Sequence, residues 1–204
     1  MAAGRFIVLE GGDAVGKSTQ MGFLAAWLEE RGVPHVVTRQ PGGTRLGLRL
    51  RQLVLDPSMG HVAPRCEALI YAADKAQHVA EVVEPAIAEG KVVVSDRYVD
   101  SMIAYQGAGR ALGLDEVERL ARWATGGLVP DLTIVLDAHP TDAVRHIEEK
   151  DRLESAGDEF HARVRDHFLR LASEGGNRYL VVDALRPREV VAAEIAARVS
   201  ELLG

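Results

Sequence analysis

The stretch that decides the fold is Phe6-Ile7-Val8-Leu9-Glu10-Gly11-Gly12-Asp13-Ala14-Val15-Gly16-Lys17-Ser18-Thr19. An apolar run leads into Gly11, four further residues, and then Gly16-Lys17-Ser18. This is the spacing G-x-x-x-x-G-K-[ST], placed after a strand and before a helix, and it marks a loop that cradles the phosphates of a nucleoside triphosphate. Glycine keeps side chains away, so that successive backbone N–H groups can face phosphate oxygens. Lys17 adds a positive charge near the β- and γ-phosphates. The Ser18 hydroxyl suits Mg²⁺, a hard cation that prefers oxygen. The helix expected to begin near Ser18 adds the positive end of its dipole. The whole segment Gly11, Gly12, Asp13, Ala14, Val15, Gly16, Lys17, Ser18 and Thr19 is therefore the expected nucleoside triphosphate site.

Outward from this loop, strand and helix patterns alternate. Short Val/Ile/Leu-rich runs at Arg5–Glu10, His35–Thr38, Lys91–Ser95, Leu132–Asp137 and Tyr179–Asp183 read as strands. They lack polar alternation, as parallel strands covered on both faces do. Helical patterns fill the gaps at Ser18–Arg31, Arg45–Leu55, Arg65–Glu89, Asp115–Thr125, Ala156–Glu174 and Pro187–Leu203. Pro85 is expected to kink or end the long third one. The prediction is a single α/β domain over residues 1–204, a doubly wound parallel sheet with helices on both faces. Its ligands should lie beyond the carboxyl ends of the strands. Useful polar residues follow those ends: Glu10 and Asp13, then Arg39, then Asp96 and Arg97, then Asp137.

Composition narrows the classes. The chain has 204 residues, 47% hydrophobic, and a net charge of −6. The acidic balance argues against a non-specific nucleic-acid binder. No apolar run approaches the ~20 residues of a membrane span. The amino terminus shows no signal-peptide pattern, so the cytoplasm is the expected location. The single cysteine, Cys66, excludes an internal disulfide and a Cys-based zinc site, and is expected to pack in a helix. The seven histidines show no ligand spacing.

Four further segments carry chemistry. Thr38-Arg39-Gln40-Pro41-Gly42-Gly43-Thr44 holds Arg39 at the mouth of the site, where its fork of donors suits a phosphate. Asp96-Arg97-Tyr98 places a carboxylate and a guanidinium after a buried strand. There Arg97 can bridge two phosphates and Asp96 can orient it or hold Mg²⁺ through water. Tyr71 and Lys75 lie four apart on one helix face, suited to stack on a base and donate to its exocyclic oxygen. Tyr105 and Gln106 suit the wall of a base pocket. Residues Asp151-Arg152-Leu153-Glu154, after a polar stretch, read as part of a mobile lid over residues 142–157.

As an ordered set these segments resemble the thymidylate kinase family, bacterial type, over almost the whole chain. The resemblance implies transfer of the γ-phosphoryl of ATP·Mg to dTMP, giving dTDP, on a five-stranded parallel sheet and commonly in a homodimer. It implies that Lys17, Ser18 and the loop amides hold ATP, that Asp13 reads the deoxyribose 3′-hydroxyl, and that Arg39 and Arg97 clamp the acceptor phosphate. It further places Tyr71 on thymine, with Lys75, Tyr105 and Gln106 around base and sugar.

The chain also departs from the pattern. Lys75 stands for the usual Arg, Gln40 for Glu, and Met102 for Thr or Asn. Ala14 occupies a loop position where some members carry Arg and others Gly with lid cations, and the shortened lid leaves Arg145 as the candidate catalytic cation. These changes leave two other readings open: a kinase of a different or modified deoxynucleoside monophosphate, and a weakly active nucleotide-binding sensor.

Overall fold

The computed structural model describes residues 4–110, 112–139, 153 and 156–204. Five strands form one all-parallel sheet: β1 (Arg5–Gly11), β2 (His35–Arg39), β3 (Val92–Asp96), β4 (Leu132–Asp137) and β5 (Tyr179–Asp183). They run in the order β2-β3-β1-β4-β5. Each predicted strand is present within one residue of its expected ends. Alternation along β1 explains why its sequence is apolar throughout. Ile7 and Leu9 pack with Leu24, Leu28, Val191 and Ile195 on one face, while Phe6 and Val8 pack with Val79, Val83 and Tyr98 on the other. Both faces are covered, as a parallel sheet requires.

Helix α1 (Lys17–Glu30) and the last helix, α8 (Arg188–Leu203), cover the first face and pack on each other. The opposite face carries α2 (Arg45–Leu55), α3 (Pro64–His78), α4 (Glu84–Ala88), α5 (Val99–Met102), α6 (Leu114–Ala124) and α7 (Asp158–Gly175). The expected 65–89 helix is continuous in space and does not end at Pro85. It widens over Val79–Val83, where the Glu84 N–H reaches back five residues to the Val79 carbonyl. Such a π-turn absorbs the mismatch a proline brings, because Pro85 offers no N–H and its ring crowds the preceding turn. A second wide turn, Ile103–Gly109, continues α5. Cys66 departs from expectation: its side chain is exposed rather than packed.

Register brings the strand ends together. Leu9 lies opposite Asp96, Arg39 opposite the same Asp96, and Gly11 opposite Leu136. Gly11 has φ 132°, and a Cβ there would drive into the Leu136 carbonyl oxygen of the neighbouring strand. Only glycine meets both demands. A Gly11→Ala variant is expected to lose on the order of 3 kcal/mol and about 10 °C in Tm by differential scanning calorimetry. An unchanged Tm would contradict this reading of the strand end.

Candidate active site

Two adjoining cavities open beyond the carboxyl ends of β1, β2 and β3. The first, about 320 Å³, is walled by the glycine loop from Asp13 to Thr19, with Arg39, Gln40, Arg51, Asp96 and Arg97. The second, about 80 Å³, is lined by Tyr71, Lys75, Met102, Tyr105, Gln106 and Leu153, among others. Asp13, Gln40, Arg51 and Arg97 border both. One cavity suits the phosphates of a donor and the other a small ring, with a shared wall between them.

The loop is shaped by its backbone. Gly16 adopts φ 93° just before α1, and Ala14 adopts φ 58°. Lys17, the first residue of α1, turns its amine back onto the carbonyls of Gly11 (3.3 Å) and Gly12 (2.5 Å). Burial lowers the amine to about 8, and the nearby Arg97 adds to this, against the pull of Asp13, Asp96 and Glu10. The amine is still mostly charged at neutral pH, and a bound phosphate would raise its pKa again. Ser18 and Thr19 stand exposed at the open side. Gly11 and Gly12 contribute carbonyls to Lys17 rather than wall the cavity.

Arg97 is the hub of the shared wall. Its backbone sits at φ 67°, so the chain turns sharply at the end of β3. Nη1 donates to the Gly11 carbonyl (2.9 Å) and the Ser101 hydroxyl (3.0 Å). Nη2 donates to Asp13 Oδ1 (2.5 Å) and to the Tyr105 hydroxyl (3.1 Å). Tyr105 in turn donates to Asp13 Oδ2 at 2.8 Å. Burial alone would raise the Asp13 carboxyl. Arg97, Lys17 and the Tyr105 hydroxyl more than offset it and hold Asp13 below the ordinary range.

A second carboxylate supports this wall from beneath. Glu10, wholly buried, accepts from the Ser101 hydroxyl (2.5 Å), the Tyr98 N–H (2.8 Å) and the Ser101 N–H (3.2 Å). It thereby satisfies the open amides at the start of α5. Burial raises Glu10 against the opposing influence of Arg97 and these donors.

The sequence-derived residues fare as follows. Lys17, Ser18, Asp13, Ala14, Val15, Gly16, Thr19, Arg39, Asp96 and Arg97 share the larger cavity, and Tyr71, Lys75, Tyr105 and Gln106 meet in the smaller one. Arg39 borders only the larger cavity and is exposed. The Gln106 amide donates to Glu67 (3.0 Å) as it borders the cavity. Asp137 lies apart: it forms a two-point pair with Arg165, at 2.7 and 2.9 Å. Arg145 and nearly all of the 142–157 lid lie outside the described residues. Sequence reasoning missed Arg51, which borders both cavities and donates to the Pro41 carbonyl at 3.1 Å. Nothing in the Arg-rich segment Arg45–Arg51 singles that position out.

His78, wholly buried behind the second cavity, makes a separate prediction. Burial and the nearby Lys75 hold it neutral, with its pKa lowered to about 4 from 6.5. Between pH 6.5 and 4 the unfolded chain therefore takes up a proton that the folded chain refuses, and stability falls as pH falls through that window. The loss amounts to about 3 kcal/mol. Urea unfolding at pH 7 and pH 4.5 should show a smaller acid loss for His78→Asn than for the native protein. Equal losses would contradict this assignment.

The glycine loop, the parallel sheet and two cavities that share a wall beyond the strand ends define a P-loop phosphotransferase. The chain belongs to the thymidylate kinase family: the model of that family, "Thymidylate kinase", matches residues 9–195. It is 58% identical over 200 residues to a protein from Cutibacterium acnes named thymidylate kinase, covering 98% of both chains. Relatives of the same name from Clavibacter michiganensis subsp. michiganensis (53% identity; 98% of this chain and 96% of the relative) and Pelotomaculum thermopropionicum (45%; 98% and 94%) extend the likeness.

Proposed function

We infer that this protein transfers the γ-phosphoryl group of ATP to dTMP, giving dTDP and ADP. The observation that carries this reading is the wall of Asp13, Arg51 and Arg97 common to a glycine-loop cavity and an aromatic-lined cavity. A site that only bound or hydrolysed ATP has no use for the second compartment. Near-full-length likeness to proteins named thymidylate kinase supports dTMP as the acceptor, and favours it over the sensor and altered-acceptor readings.

In the reaction, a dTMP phosphate oxygen forms a bond to the γ-phosphorus while the bond from that phosphorus to the β-phosphate bridging oxygen breaks. The electron pair leaves with ADP. The acceptor oxygen is already anionic, so the protein's task is positioning and charge neutralisation. Lys17 and the loop amides hold the donor phosphates. Arg97, reinforced by Arg39 and Arg51, draws the acceptor phosphate toward them. Asp13, held ionised by Arg97 and Lys17, accepts from a sugar hydroxyl. Tyr71 supplies a ring face for the base, with Lys75 as donor and Tyr105 and Gln106 closing the pocket. Arg145, from the lid at residues 142–157, is assigned the remaining cationic role over the transferring group.

Mg²⁺ fits the residues present. Asp96 and Ser18 border the same cavity, and the buried Asp96 Oδ1 has no hydrogen-bond partner among the described residues. Few protein oxygens, completed by phosphates and water, are the set this ion prefers. When bound, Mg²⁺ would neutralise charge on the β- and γ-phosphates; Ser18 and Asp96, the latter through water, would hold it.

The functional unit is assigned as a single domain over residues 1–204, working in the cytoplasm as a homodimer. Among the described residues no helix is long and apolar enough to cross a membrane. Leu46 and Leu53, seven apart on α2, and Leu69 on α3 are exposed, and a second copy would cover them. The net charge of −6 argues against a nucleic-acid partner.

The test is a coupled ADP-release assay with ATP·Mg and a panel of dTMP, dUMP, dCMP, dGMP and UMP. Fastest turnover with dTMP is the expected result. ATP binding without turnover on any acceptor would overturn the assignment.

A further inference from the structure

Two of the departures from the family pattern, Gln40 and Lys75, touch. Lys75 is 2% exposed, and its ammonium donates to Gln40 Oε1 at 3.1 Å. That is its one hydrogen bond among the described residues. An ammonium only donates, so the amide orientation of Gln40 is fixed and its NH₂ points the other way. There it meets His78 Nδ1 at 2.7 Å. An NH₂ also only donates, so Nδ1 carries no proton and Nε2 does. Nε2 then donates to the Thr38 hydroxyl at 2.7 Å. Lys75, Gln40, His78 and Thr38 thus form a relay in which each of the first three donates to the next.

The relay is held in place from outside. A Cβ on Gly43 would come within 2.5–2.6 Å of the His78 ring and the Thr38 hydroxyl, so the Gly43 backbone packs directly against it. Lys75 and Gln40 both border the smaller cavity, beside Tyr71 and Met102. Two N–H groups of the Lys75 ammonium remain for a ligand there.

We propose that Gln40 is a positioning residue for Lys75, and that the two form one coupled unit reading the acceptor edge of the base, so that neither can be exchanged for the family's usual residue alone. This rests on the reading of the smaller cavity as the acceptor site. The physical reason lies in charge and shape. Gln40 turns Lys75 with a neutral acceptor and leaves its full charge for a base carbonyl. A Glu at position 40 would pair with Lys75 as an ion and draw the ammonium away from the base. It would also require a proton on His78 Nδ1, which reverses the relay. An Arg at position 75 brings a broader, planar fork that a carboxylate matches in two-point geometry and an amide does not.

The charge on Lys75 is itself conditional. Burial lowers its pKa to about 8. Asp74, Glu10 and Asp100 pull it up, and Arg97 pushes it down. Binding of a base through this donor therefore weakens as pH rises through about 8. A carboxylate at position 40 would move that limb upward.

The experiment measures the Kd for dTMP by isothermal titration calorimetry from pH 6.5 to 9.5, together with kcat and KM. The proteins are native, Gln40→Glu, Lys75→Arg and the double variant. At pH 7 each single change is expected to weaken dTMP binding about tenfold, with kcat within about threefold of native. The double variant should return to within about threefold of the native Kd. Gln40→Glu should also move the alkaline limb of binding up by about one pH unit or more. Independent effects that multiply in the double variant would overturn the proposal, as would a pH limb that Gln40→Glu leaves in place. If native protein binds dTMP without phosphorylating it, the kinase reading fails, and the coupling is still decided on Kd. If native protein does not bind dTMP, both fail.

Discussion

An Arg97→Ala variant is expected to lose about 10³-fold in kcat with dTMP, the scale seen when a guanidinium that neutralises a transferring phosphoryl group is removed. The side chain spans the wall between the two cavities and has four hydrogen-bond acceptors around it. Removal deletes the cation and also releases Asp13, whose low pKa depends on it. Two consequences separate this from general damage. The kcat/KM for dTMP should fall further than the affinity for ATP, because Lys17 and the loop amides hold the donor phosphates. Arg97→Lys should recover no more than about tenfold of the loss, because an ammonium keeps the charge but cannot reach two groups in one plane. The measurement is steady-state kinetics with ATP binding followed in parallel. Turnover within tenfold of native for Arg97→Ala would contradict this assignment.

The second large effect is expected for Lys17→Met. Here the loss should appear in kcat and in ATP affinity together, by about 10²- to 10³-fold in kcat, since one preorganised donor to developing charge is removed. Fold stability should respond differently. The amine is buried and its pKa lowered to about 8, so the folded protein carries a desolvated cation. Methionine fills similar volume without that cost. The Tm of Lys17→Met should therefore match or exceed that of the native protein in the absence of nucleotide. ATP should raise the native Tm and leave that of the variant unmoved. A variant that is inactive and also melts well below native would mean that Lys17 mainly supports the fold.

Much of this was legible in the chain, and the reasons are local. The glycine spacing from Gly11 to Lys17, and the apolar runs of Phe6–Leu9 and Val92–Val94, depend on backbone conformation and two-sided burial. Both are written in short windows. Sheet order is a separate matter: the alternation of strands and helices predicts parallel strands, but neighbours such as Leu9 and Asp96 are set by packing across the whole domain. Helix continuity through Pro85 was not legible either, because the π-turn at Val79–Val83 is a tertiary accommodation.

At the site, charged groups directly after strands were visible, since β3 fixes where Asp96 and Arg97 must emerge. Arg51 was not, because three arginines on α2 have equal claim until the helix is placed. The Lys75–Gln40–His78–Thr38 relay was hidden for a related reason. Its members come from β2, the loop after it and α3, and each bonded pair is 35 residues apart or more. The two substitutions look like independent losses in the sequence and become partners only in space. Cys66 shows the reverse error: its apolar neighbours along the chain suggested a packed position, yet it points outward.

The most direct test of the two-compartment account follows the phosphorus itself. ATP labelled in the γ-phosphate is incubated with Mg²⁺, dTMP and native protein, and the products are separated. The account predicts that the label moves one for one into the β-phosphate of dTDP, with ADP formed in equal amount and little inorganic phosphate. Label released as inorganic phosphate regardless of dTMP would contradict it, because the wall formed by Asp13, Arg51 and Arg97 would then join no acceptor to the glycine loop.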